Sequence, residues 1–262
     1  MTTSEYLLDN RAAAAQRRFG ALSALFDDVT FRHVEALGIQ RGWRCWEVGA
    51  GGPSVPNWLA GRTGPDGHVL ATDIDTSWID GVAPQVEVGR HDLARDDLPP
   101  GAFDLIHARL VLCWIPQRDE ALRRMAGALR PGGWLLIEDF DPGLQSAASI
   151  DAHLPDHDNA NKLRAGFGVL LAQRGTDPAY GRKLPRLLTE QGLADVAADA
   201  YMPVSLPAVG ALDLANFDQL HDALLAKGLA TAEEIDRHRA AVDRGTGFAS
   251  PPLISAWGRK PS

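Results

Sequence analysis

The sequence predicts an α/β protein built on a mostly parallel, doubly wound sheet. Three observations carry that expectation. From Trp43 onward, short apolar runs alternate with helical patterns at a spacing that implies βαβ crossovers. The first of those runs ends in a glycine-rich turn, Gly49-Ala50-Gly51-Gly52, from which a helix begins. The chain also has ordinary globular composition, with 262 residues of which 45% are hydrophobic and 23% charged.

The elements follow in order. The first forty residues read as helices, with one apolar pattern from Tyr6, Leu7 and Leu8 through Phe19, Leu22, Leu25 and Phe26. Thr30 is then placed as the cap of a short helix carrying Phe31, Val34 and Leu37. Strands are expected at Trp43–Val48, Val69–Asp73, Val86–Gly89, Phe103–His107 and Trp134–Glu138. Helices are expected at Ser54–Ala60, Thr76–Gly81 and Asp119–Leu129, with Asp119 as an N-cap. Arg130-Pro131-Gly132-Gly133 reads as a helix stop and a turn. After Asp139 the pattern loosens, and residues 140–185 are expected to form a lid insertion too short to bury much core alone. One helix there carries Leu163, Phe167, Leu170 and Leu171, and a second carries Leu184, Leu187 and Leu188. A strand at Val196–Met202, helix through Leu212–Leu225, a capping box at Thr231 and Glu234, and a last strand at Leu253–Trp257 complete the chain. The expected organisation is one domain. It has an N-terminal helical cap (1–40), a core (41–139), the lid (140–185) and a C-terminal part of the sheet and helices (186–262).

The formal net charge of −8 disfavours a broad grip on nucleic acid or on anionic membrane, since both rest on clustered positive charge. Cys45 and Cys113 cannot make a disulfide framework or a cysteine-rich zinc site, and both sit in apolar runs as buried thiols of a reducing cytoplasm would. The opening MTTSEYLLDN has neither the basic nor the apolar region of a secretory signal, and no apolar run reaches the roughly 18 residues of a membrane span. A cytoplasmic protein is expected, as a monomer or homodimer.

The most informative segment is Trp46-Glu47-Val48-Gly49-Ala50-Gly51-Gly52-Pro53-Ser54-Val55. A buried strand ends in an acid and a turn, and glycines there let backbone approach a ligand closely; tight packing alone produces the same pattern. The next strand ends in Asp73-Ile74-Asp75, roughly two dozen residues beyond Gly49, where an acid accepts from ribose hydroxyls in a mononucleotide-binding βαβ unit. Asp73 and Asp75 share strand parity, so pattern alone does not separate them; Asp73 is preferred as nearer the strand end. The third strand leads to Asp92-Leu93, a carboxylate for an exocyclic adenine amine and a backbone N–H for the ring.

In this order the residues resemble the class I S-adenosylmethionine-dependent methyltransferases, in particular the UbiE-like small-molecule enzymes. The resemblance continues through Phe103-Asp104-Leu105-Ile106-His107-Ala108-Arg109 and through Leu129-Arg130-Pro131-Gly132-Gly133-Trp134-Leu135-Leu136-Ile137-Glu138, and covers residues 40–140. It implies a Rossmann-like sheet of seven strands whose last inserts antiparallel. It also implies S-adenosyl-L-methionine as cofactor and methylation of a small-molecule acceptor, of the kind met in secondary metabolism. Carried over, Glu47 is the motif acid, and Gly49, Ala50 and Gly51 lie under the methionine part. Asp73 binds ribose, Ile74 packs on adenine, and Asp92 and Leu93 meet its edge. Ala108 and Arg109, just past the fourth strand, lie toward methionine and acceptor. Pro53 stands where the family has a third glycine, and suits the first turn of a helix. Tyr6 and Arg18 are expected to close over the cofactor.

Methyl transfer asks the protein for orientation, exclusion of water and sometimes a base. Candidate bases are His107, Asp139 and His153, with His157, His221 and Asp141 behind them. Trp114 and Phe140 are candidates for an apolar acceptor wall. His153, His157 and Asp158 have a spacing that metal ligands can take, but a solvated loop accounts for it and no metal is expected. Two other classes fit parts of the pattern. One is a protein that binds the cofactor without methylating, as a regulator or cyclase. The other is a nicotinamide-dependent dehydrogenase, which Ser54 and the lack of an obvious Tyr-x-x-x-Lys pair disfavour.

Overall fold

The computed structural model describes Leu8 and residues 13–99, 101–144, 148, 151, 153 and 156–262. The chain divides into two compact units. One comprises Asp27–Phe140, Ala179–Tyr201 and Leu253–Ser262 and carries the sheet; the other comprises Met1–Phe26, Asp141–Pro178 and Met202–Pro252 and is helical.

In the sheet unit, β1 (Arg44–Val48), β2 (His68–Asp73), β3 (Val86–Arg90), β4 (Phe103–Arg109), β5 (Leu129–Phe140), β6 (Ala194–Tyr201) and β7 (Leu253–Arg259) form one sheet in the order β3-β2-β1-β4-β5-β7-β6. The first five strands run parallel, and β7 lies antiparallel between β5 and β6, as the family resemblance implies. Side chains alternate across the pleat. Trp46, Ile106 and Ile137 join the core layer of α3 (Arg118–Ala128) and α5 (Tyr180–Glu190). Cys45, Leu105 and Leu136 join the opposite layer, with Val34 of α1 (Ala13–Ala36) and Val55, Leu59 and Ala60 of α2 (Ser54–Thr63). Both cysteines are buried and free.

Several local expectations are corrected. The first described helix is continuous through Thr30, because the Thr30 hydroxyl donates to Glu138 and accepts from Arg109 instead of capping a helix. Residues 76–81 are a turn; Asp75 accepts the Ser77 N–H at 3.0 Å, and so short a segment does not repay helix nucleation. Gln117, not Asp119, is the N-cap of α3, and Asp119 sits in the first turn, where its charge suits the helix dipole. Arg130–Gly133 are not a turn but the start of β5. Gly132 N–H donates to Lys260 O and Lys260 N–H to Gly133 O, both at 2.8 Å. Gly133 is required there, since a Cβ would stand 2.7 Å from the Phe103 carbonyl oxygen. Ala108 and Arg109 belong to β4 itself. Pro53 is the N-cap of α2, with its carbonyl accepting the Asn57 N–H at 2.9 Å.

The helical unit packs α4 (His157–Gln173), α6 (Pro207–Ala226) and α7 (Ala232–Asp243). Arg164 of α4 reaches Asp213 of α6 at 2.8 Å, and His238 of α7 is buried between the rings of Phe217 and Phe248. The expected capping box at Thr231 and Glu234 opens α7. The span expected as a lid is divided: residues 141–178 belong to this unit, whereas α5 belongs to the sheet unit.

Candidate cofactor site

The carboxyl ends of β1, β2 and β4 gather most of the expected residues. Leaving β1, the chain turns through Gly49 and Gly51 with φ of +64° and +62°, a region L side chains avoid. A Cβ on Gly49 would stand 2.3 Å from Cγ2 of Val111, so the turn and the exit from β4 close on each other through a glycine. That exit is itself strained: Leu110 has φ +57°, and its N–H donates to Glu138 O at 2.8 Å.

The turn is also held from β2. Ala50 N–H donates to Thr72 O and Gly51 N–H to Asp73 Oδ2, each at 3.0 Å. Asp73 Oδ1 accepts the Asp75 N–H at 3.0 Å. Burial raises the Asp73 carboxyl above its ordinary range, against the opposing pull of N–H groups from Asp75, Gly51 and Ile74. A carboxylate offers about four accepting sites, so the acid fixes the turn with these N–H groups and still has capacity for a hydroxyl donor. Past β3, Asp92 Oδ1 accepts the Ala94 N–H at 3.0 Å, and Leu93 is buried.

On the face of the sheet toward α1, the apolar positions Cys45, Leu105 and Leu136 are each followed two residues on by a polar one, Glu47, His107 and Glu138. Glu47 and His107 are register partners on neighbouring parallel strands. Glu47 Oε2 lies 2.6 Å from His107 Nδ1, and His107 Nε2 lies 3.2 Å from Glu138 Oε2. Glu138 also accepts from Thr30 and, at 2.6 Å, from Ser255. All three members of the row are buried. Burial alone lowers the His107 pKa, but the charge of Glu47 and hydrogen bonds donated to Glu138 and Glu47 outweigh it and push it up to about 9. Glu138 is held well below the carboxylate range; burial opposes this, and hydrogen bonds from His107 and His33 prevail. Arg109 turns toward α1, with Nη2 donating to Asp27 at 2.7 Å and Nη1 to Thr30 at 2.9 Å, while Ser54 donates to Asp27.

Arg18 belongs to the helical unit, where it donates to Gln219 at 3.2 Å. Tyr6 lies outside the described residues. His153 is exposed, with its N–H on Asp151. Asp139 is buried at the end of β5, where Oδ2 accepts the Cys113 N–H at 3.3 Å and Oδ1 has no hydrogen-bond partner among the described residues. Burial pushes its carboxyl up to about 7. Among the described residues, no group of His, Cys, Asp and Glu is arranged to hold a metal ion, and no helix is long and apolar enough to cross a membrane.

A family profile described as "Methyltransferase domain" matches residues 46–137, from β1 to β5. Methyltransferase str2 of Strobilurus tenacellus is 30% identical over 198 residues, which cover 72% of this chain and 67% of that protein. The chain belongs to the class I S-adenosylmethionine-dependent methyltransferases. A second methyltransferase, the ubiquinone/menaquinone biosynthesis C-methyltransferase UbiE of Ectopseudomonas mendocina, is 29% identical over 141 residues, spanning 50% of this chain and 54% of that one. Among solved structures, the Haemonchus contortus phosphoethanolamine N-methyltransferase 2 in complex with S-adenosyl-L-methionine superposes with a TM-score of 0.63 at 14% identity. That match covers 100% of this chain but 60% of the other, and at this identity it speaks for the methyltransferase fold alone.

Sequence reasoning placed the methyltransferase turn and its acids but missed what braces them. Asp27, Thr30 and His33 lie on α1 and Val111 follows β4, and none of them carries a motif. Glu138 and His107 did leave a signal, as charged positions in otherwise apolar strands.

Proposed function

We propose that this chain transfers the methyl group of S-adenosylmethionine to a small-molecule acceptor. The observation that carries the reading is the Gly49–Gly51 turn, closed against Val111 and pinned to Asp73, since a cofactor whose backbone contacts replace side-chain contacts needs such a cradle. When bound, S-adenosylmethionine supplies an electrophilic methyl group. The chain supplies position. Asp73 takes the ribose hydroxyls and Ile74 the adenine face. Asp92 and Leu93 take the adenine edge, and Gly49, Ala50 and Gly51 the methionine part, with Glu47 beyond them. Ala108 and Arg109 border the methionine and acceptor end.

Of the three candidate bases, Asp139 suits the task best. A carboxyl raised to about 7 matches neutral operation, and one of its oxygens is uncommitted among the described residues. Both ring nitrogens of His107 face carboxylates. The acceptor is assigned to secondary metabolism and to selection by a lid in residues 140–185. The buried free thiols of Cys45 and Cys113 support a reducing, cytoplasmic setting. Neither nucleic acid nor membrane is a proposed partner, and the working unit is a monomer or homodimer.

The test is mass-spectrometric detection of S-adenosylhomocysteine and a product 14 Da heavier from a panel of phenols, carboxylates and amines. The reading expects turnover with at least one class. Cofactor binding with no turnover on any class favours the binding or cyclase reading instead.

A further inference from the structure

The proposed cofactor contacts leave His107 and Glu138, buried beside Glu47, without a role, and the chemistry of the three is costly. Taking an ion from water into a protein interior costs several kcal/mol even after relaxation, and apolar residues of similar size are often as stable or more so. The neighbouring positions on the same face, Cys45, Leu105 and Leu136, show that this layer accepts apolar residues. Two carboxylates and a histidine here therefore call for an account beyond folding.

The geometry gives one. Glu47 is the penultimate residue of β1, two positions before Gly49 of the turn. A glutamate has rotatable bonds that packing alone does not fix, but Oε2 of Glu47 is tied to His107 at 2.6 Å. His107 is tied on its other side to Glu138 at 3.2 Å. Glu138 is clamped in turn by Thr30 and His33 of α1 and Ser255 of β7, and His33 reaches Asp199 of β6 at 3.0 Å. Arg109, on the same strand as His107, is held by Asp27 and Thr30 of α1. Elements α1, β1, β4, β5, β6 and β7 thus converge on one imidazole, and through it on one carboxylate.

We propose that His107 is a positioning residue, which fixes the Glu47 carboxylate to receive the positively charged amino-acid end of the bound nucleoside. The inference rests on the cofactor reading above. A doubly protonated His107 bridges both carboxylates, donating from Nδ1 to Glu47 and from Nε2 to Glu138. Burial raises the Glu47 carboxyl above its ordinary range, and the charge and hydrogen bond of His107 oppose that rise. Catalytic contact is not part of the role, since both ring nitrogens of His107 are committed to carboxylates.

The test compares two nucleosides by calorimetry on the whole chain. S-adenosylhomocysteine carries the amino-acid end; 5′-methylthioadenosine has the same adenosine and sulfur without it. In His107→Gln the affinity for S-adenosylhomocysteine is expected to fall about tenfold and that for 5′-methylthioadenosine to change less than twofold. Equal losses for both nucleosides reduce His107 to a structural residue and overturn the proposal. An unsubstituted chain that binds 5′-methylthioadenosine no more weakly than S-adenosylhomocysteine also overturns it, while leaving adenosine binding intact. An unsubstituted chain that binds neither overturns the cofactor reading and the proposal with it. If His107→Gln does not fold, ¹⁵N spectra of the histidine rings in the unsubstituted protein decide. Both His107 nitrogens are expected to be protonated at pH 7.5, and a neutral ring there overturns the proposal.

Discussion

Gly51 donates its backbone N–H to Oδ2 of Asp73 at 3.0 Å, although the two are 22 residues apart. The acid at the end of β2 therefore shapes the turn after β1 before any ligand arrives. Pre-ordered contacts of this kind reduce what binding costs.

Removing that acceptor frees the turn. In Asp73→Ala the Gly51 amide is expected to exchange with solvent at least tenfold faster in the absence of nucleoside, since a hydrogen bond to a charged group contributes roughly 1.5–3 kcal/mol. Hydrogen-exchange spectra measure this directly. An unchanged Gly51 rate means the turn is held by its other contacts.

Gly49→Ala is expected to destabilise the protein for two separable reasons. Its φ of +64° costs an L residue roughly 1–2 kcal/mol, and the added methyl meets Val111 at 2.3 Å. Thermal melts of Gly49→Ala alone and together with Val111→Ala separate them. The second change is expected to recover the steric part and not the backbone part. Full recovery argues that the turn relaxes, and none argues that Val111 is not the obstacle.

Asp139 makes stability depend on pH. Its ordinary pKa is 3.8 and burial pushes it up to about 7. The folded state binds its proton more tightly, so that contribution is whole below about pH 4 and lost as pH rises through 7. Asp139→Asn cannot ionise. Its melting temperature relative to the unsubstituted protein is expected to rise from pH 5 to pH 8, corresponding to roughly 2–4 kcal/mol. A pH-independent difference contradicts a titrating Asp139. Loss of turnover in this more stable variant identifies the acid as the base.

What was legible in the sequence was what local pattern dictates. Short apolar runs such as Val69–Asp73 mark strands to within a residue or two, and β7 falls where expected. The glycine turn and Asp73 were visible because close backbone approach needs particular residue types. Thr30 was misplaced because its hydroxyl is used by Glu138, more than a hundred residues away, and no local rule sees that partner. Arg130–Gly133 read as a turn because glycine and proline usually break elements, yet here β7 and the chain after it supply the hydrogen bonds that make them strand. The imidazole bridge is of the same kind. Glu47, His107 and Glu138 stand far apart in sequence, and the pairing of β1 with β4 and of β4 with β5 brings them within reach of one another.

The account stands most directly on one titration, S-adenosylhomocysteine into the whole chain, run beside Asp73→Ala and Asp75→Ala. Saturable binding is predicted for the unsubstituted protein, weakened at least tenfold by Asp73→Ala and less than threefold by Asp75→Ala. No binding by the unsubstituted chain, or full affinity in Asp73→Ala, contradicts it.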